Sequence, residues 1–73
     1  MTIGERAAKC VRDRARQTGT VKGEMERLGV SVDCLFRWEK GNTAPFAYAL
    51  QQMALSDYDV YYILTGERKN YEA

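Results

Sequence analysis

Seventy-three residues with a net charge of +1 allow one small domain, whose core is small enough that self-association would help it. No apolar run is long enough to span a membrane and the N-terminus has no apolar leader, so a cytoplasmic protein is expected. The chain has no His, which removes the usual general base and the usual catalytic triad, and Cys10 and Cys34 lack metal-site spacing. Neither an enzyme nor a bound metal or other cofactor is expected, and the two cysteines are expected to be small, partly buried residues.

Residues 2–17 read as the first helix. Thr2 and Glu5 have capping-box spacing. Ile3, Ala7, Val11 and Ala15 recur every four residues with Ala8 beside them, the stripe of a helix that packs on a core. Arg6, Lys9, Arg12, Arg14 and Arg16 crowd the remaining surface, where most are expected to be solvated. Thr18-Gly19 breaks the pattern.

Thr20 then caps a second, short helix with Val21, Met25 and Leu28 facing inward. Gly23 inside it costs about 1 kcal/mol relative to Ala and is a candidate for a close helix contact. A tight turn, Leu28-Gly29-Val30-Ser31, leads into a third helix that ends at Gly41. Ser31 is a good N-cap whose hydroxyl can accept from a free first-turn N–H, Asp33 suits the positive end of the helix dipole, and Gly41 can take the left-handed conformation that ends a helix. Leu35 and Trp38 share one face; Asp33, Phe36, Arg37 and Lys40 share the opposite one, with Val32 at its edge. A short helix held by one narrow apolar seam is built to present its other face. Two short helices joined by a tight turn make the sequence form of a helix-turn-helix, whose second helix enters the DNA major groove. Residues 1–40, which contain it, carry +3, and residues 41–73 carry −2; that asymmetry fits nucleic-acid binding.

Residues 41–44 form a polar loop. Pro45 suits the first position of a fourth helix that runs to about residue 55, with Phe46, Leu50, Met53 and Ala54 inward. Residues 57–59 start a last short helix in which Val60, Ile63 and Leu64 pack inward and Gly66 stops it. The fold expected is all-α: five short helices around one core over residues 1–67, then a polar tail at residues 68–73, expected to be mobile.

Placed in this order, the helices resemble the Cro/C1-type helix-turn-helix regulators of phages and bacteria, the lambda-repressor-like domain. The resemblance covers about residues 5–67. It rests on Leu28-Gly29-Val30-Ser31, on Arg37-Trp38-Glu39-Lys40-Gly41 with Pro45 shortly after, and on Asp59-Val60-Tyr61-Tyr62-Ile63-Leu64-Thr65-Gly66-Glu67. It implies a transcriptional regulator that binds double-stranded operator DNA as a homodimer. Carried over residue by residue, the base-reading positions are Val32, Asp33, Phe36 and Arg37. The positions that touch the DNA backbone are Thr20, Val21, Lys40, Asn42 and Thr43. An Arg late in the first helix often pairs with the Glu near the end of the third; here these are Arg14 and Glu39, expected as a largely buried ion pair. Too few residues follow the helices for the self-cleaving domain of full-length phage repressors, so regulation is expected through protein level or a partner.

The chain departs from the family where many relatives carry Gln at the start of the second helix, here Val21, and polar side chains at the reading positions, here Val32, Asp33 and Phe36. Asp33 and Arg37 are spaced to pair with each other at the surface. Val32 and Phe36 suit thymine methyls, or an apolar patch for a protein partner. The alternative function is therefore a protein-interaction module, an inhibitor or antirepressor acting through Val32 and Phe36.

Overall fold

Thr2 and Glu5 close the capping box that their spacing predicts: the Glu5 N–H donates to the Thr2 hydroxyl at 3.1 Å and the Thr2 N–H donates to the Glu5 carboxylate at 2.7 Å. From that cap helix α1 runs over Ile3–Thr18 in a computed structural model that describes residues 1–68. Its stripe of Ala7, Ala8, Val11 and Ala15 is buried, and α1 packs against three of the four other helices: α2 (Val21–Arg27), α3 (Val32–Glu39) and α5 (Val60–Thr65). Helix α4 (Ala47–Leu55) packs on α5. These five helices, with no strand among the described residues, form an all-α domain around Val11, Met25, Leu28, Leu35, Trp38, Met53 and Ile63. No helix among the described residues is long and apolar enough to cross a membrane.

Small residues on α1 let its neighbours come close, and Gly4 is the extreme case. A Cβ there would lie 2.2 Å from the Thr43 carbonyl oxygen and 3.0 Å from that of Trp38. The close contact is thus at Gly4, between α1 and the end of α3. Gly23, the sequence candidate, meets only the Thr20 hydroxyl, which caps α2 by accepting from the Gly23 N–H at 3.0 Å.

The turn from α2 to α3 is closed by backbone bonds from Gly29 to Glu26 and from Val30 to Met25. Gly29 takes φ 78°, a left-handed value that a Cβ would strain. Tyr48 of α4 lies against this turn, its ring edge 3.2 Å from where a Gly29 Cβ would stand.

Three sequence expectations are corrected. Ser31 has N-cap backbone geometry but its side chain caps nothing; its hydroxyl sits 3.8 Å from the Cys34 sulfur. Helix α4 begins two residues after Pro45, so Pro45 is a buried lead-in residue and Phe46 takes the cap, 54% exposed. The inward stripe is Ala49 and Met53 with Leu50 at its edge, and Ala54, about 100° on from Met53, lies outside it. Helix α5 spans only six residues, so its seam holds Val60 and Ile63 while Leu64, about 100° further round, is 44% exposed. The predicted tail lies largely outside the described residues; its first member, Arg68, bonds Asp59 at 2.8 Å and stacks on Tyr62.

Candidate nucleic-acid interface

Helix α3 is anchored by Leu35 and Trp38, both buried, and held at its end by Gly41, whose φ of 76° turns the chain away. The opposite face is open. Asp33, Phe36, Arg37 and Lys40 are exposed and Val32 is half-buried, as the spacing predicts. Asp33 and Arg37, spaced to pair, do not: neither makes an ion pair or a side-chain hydrogen bond with any described residue, and the same holds for Lys40.

The other cations behave differently. Arg6 donates to the Ile63, Leu64 and Met1 carbonyls, and Lys9 and Arg16 share Asp13. Arg12 binds Glu39, Arg27 approaches Glu24 at 3.6 Å, and Arg68 binds Asp59. Arg14 donates to the Ser56 and Asp57 carbonyls at 2.9 and 3.2 Å and stacks over the Tyr58 ring, 4.3 Å from its centre. Among the described basic side chains, three have no such partner: Lys22 near the start of α2, Arg37 on α3 and Lys40 at the C-cap of α3. Lys22 was missed by sequence reasoning. Its only signal there is its place in the first turn after the Thr20 cap.

The expected Arg14–Glu39 pair is not formed. Positions 12 and 14 lie about 200° apart around α1, so one side chain alone can reach α3. Arg12 does, through a two-pronged contact in which its terminal nitrogen donates to Glu39 at 3.0 Å and its Nε donates to the other carboxylate oxygen. Arg12 holds the Glu39 carboxyl below the usual carboxylate range. The pair is not buried, with side chains 44% and 33% exposed.

The buried carboxylate is Glu24, which sequence reasoning also missed. Its side chain is inaccessible to solvent; it accepts from the Tyr58 hydroxyl at 2.8 Å and lies 3.1 Å from the Thr18 hydroxyl. Burial, then this bond, pushes the Tyr58 hydroxyl pKa upward. No local pattern reveals such a contact, because Tyr58 is 34 residues away. It ties α2 to the turn before α5, and so braces the helix that leads into α3.

The expected backbone-contacting residues divide. Thr20, Lys40, Asn42 and Thr43 are exposed. The Thr20 oxygen is occupied by the cap, leaving its hydroxyl hydrogen to donate. The Asn42 N–H is spent on the Arg37 carbonyl, leaving its side-chain amide. Val21 is half-buried against the core, so its side chain does not serve; its first-turn N–H is what remains. Cys10 and Cys34 are both unbonded and half-buried, and burial raises the Cys10 pKa, which makes that thiol less reactive. No cluster among the described residues could hold a metal ion. The open face of α3 thus offers donors from Arg37 and Lys40, one acceptor in Asp33, and apolar surface from Val32 and Phe36, with Lys22 beside it in sequence on the preceding helix. No family model, curated protein or solved structure matches the chain.

Proposed function

We propose that residues 20–40 form a helix-turn-helix of the lambda-repressor-like type and that the chain is a sequence-specific DNA-binding regulator, Cro-like, acting in the cytoplasm as a homodimer. One observation carries the reading: among the described residues, the basic side chains left without a protein partner, Lys22, Arg37 and Lys40, lie on α2, on α3 and at the C-cap of α3. A cation already bound to a carboxylate adds little to phosphate attraction, whereas these three are free to meet a polyanion. In this reading Arg37 makes two bonds to guanine O6 and N7 in the major groove, and Asp33 orients that fork or accepts from a cytosine amino group. Lys22, Lys40, Thr20, Asn42 and Thr43 engage phosphates and set the register. The protein binds and does not catalyse.

The dimer is proposed through α4 and α5, where Leu55 and Leu64 are 72% and 44% exposed. Two-fold pairing would set two copies of α3 roughly 34–36 Å apart on a palindromic site. Sedimentation at micromolar concentration should show a dimer that Leu55→Glu or Leu64→Glu dissociates; a wild-type monomer both free and on DNA would refute it. The function is tested by selecting bound duplexes from random DNA and repeating a mobility shift across a salt series. Affinity must fall steeply with salt, and failure to enrich any sequence refutes the reading.

A further inference from the structure

We propose that Val32 and Phe36 form a reader of the 5-methyl group of thymine, placed beside the guanine that Arg37 contacts. The inference rests on the DNA-binding reading of α3. Phe36 is 46% exposed on a helix whose other large apolar residues, Leu35 and Trp38, are buried. Val32 lies one turn before it on the same face and is half-buried, so the two side chains are neighbours along the helix. The open face is therefore divided into two parallel rows. Asp33 and Arg37 make the polar row, and Val32 and Phe36 make the apolar one. Neither member of the polar row has an ion-pair or side-chain hydrogen-bond partner among the described residues.

The occupant follows from the company the ring keeps. Lys22, Arg37 and Lys40 favour a polyanion over an apolar protein groove. The one methyl group that unmodified base pairs present in the major groove is that of thymine, and it is the largest apolar feature there. Arg37 follows Phe36 directly in sequence, so the methyl and the guanine belong to neighbouring base pairs.

The test uses duplexes that the full chain selects from random DNA. Each thymine is replaced in turn by deoxyuridine, which removes the methyl and keeps the hydrogen-bonding pattern. At one or more positions per half-site the wild type should bind about fourfold more weakly, the contribution of one buried methyl-sized group. In Phe36→Ala that position should become indifferent to the replacement, while Phe36→Leu should keep part of the preference. Phe36 is exposed, so both variants should melt with the wild type. Uracil duplexes that bind like the thymine ones overturn the inference alone, as does an equal uracil loss in Phe36→Ala. If no duplex is enriched and Phe36→Ala instead loses a bound protein, the DNA reading fails and takes this inference with it.

Discussion

Helix α1 carries five basic residues, and α2, α3 and the α3 C-cap Lys40 together carry four, yet the two groups behave differently. Every cation of α1 has a partner within the protein: Arg6 on α5 carbonyls, Arg14 on the turn before α5, Arg12 on Glu39, and Lys9 and Arg16 on Asp13 at the surface. Across α2, α3 and its C-cap Arg27 alone has a carboxylate, and Lys22, Arg37 and Lys40 have none among the described residues. Basic charge in a sequence shows where cations are; their partners decide whether they are available. Arg6 and Arg14 tie α1 to α5 and the turn before it, Arg12 and Arg16 are held by surface carboxylates, and the free cations are the candidates for a ligand.

The largest test of that division is Arg14→Ala. Losing two bonds from a guanidinium and a stack on Tyr58 should cost about 2–3 kcal/mol, read as a lower urea midpoint, with DNA affinity unchanged where the variant is folded. Arg37→Ala should do the reverse. Melting should not move, but about 1–3 kcal/mol of discrimination between selected and random duplexes should vanish. Equal losses on both DNAs would rule Arg37 out as the reader. Lys22→Ala and Lys40→Ala should weaken all sequences alike, each lowering the salt slope by about 0.9 in logarithmic units. A slope unchanged in Lys22→Ala would return that residue to the solvent.

The smallest effect belongs to Glu39. Its pair with Arg12 is half-exposed, so Glu39→Ala should cost about 1 kcal/mol at most by thermal melting. Its carboxyl, like those of Glu5 and Asp59, is held below the ordinary range, by Arg12, by the Thr2 N–H and by the Tyr62 N–H respectively. These groups bind protons less readily folded than unfolded. Their stabilisation is complete above the unfolded values and is lost as pH falls through the folded ones. The melting temperature should therefore drop between about pH 5 and pH 3, and a flat profile would show that the three contacts contribute nothing.

Helix ends and the long stripe of α1 were legible in the sequence because caps and four-residue recurrence are local. Thr2 with Glu5, the Thr20 cap, Gly41 and Gly66 all act as their spacing predicts. The open face of α3 was legible for the same reason. The partners of charged residues were not. Arg12 and Arg14 differ by two positions and read alike, and which one meets Glu39 depends on how α1 is rotated against α3. Glu24 carries no local signal of its role, because its burial requires Tyr58 from the far end of the chain. The short helices misled in their stripes: with six or nine residues the apolar seam is narrow, and Phe46, which lies before α4, together with Ala54 and Leu64, each one position past a seam residue, are exposed.

The missing side chain at position 4 has a consequence for how this chain can vary. The Thr43 and Trp38 carbonyls occupy the space a methyl group would need. Both belong to backbone, which cannot rotate aside as a side chain can. Any replacement there must push the end of α3 and the loop carrying Asn42 and Thr43 away from α1, altering the spacing between them and Lys22. In a saturation library sorted for binding, position 4 would therefore return almost only glycine, with a stringency equal to that at Arg37. A residue that touches no ligand would carry the statistical signature of one that does.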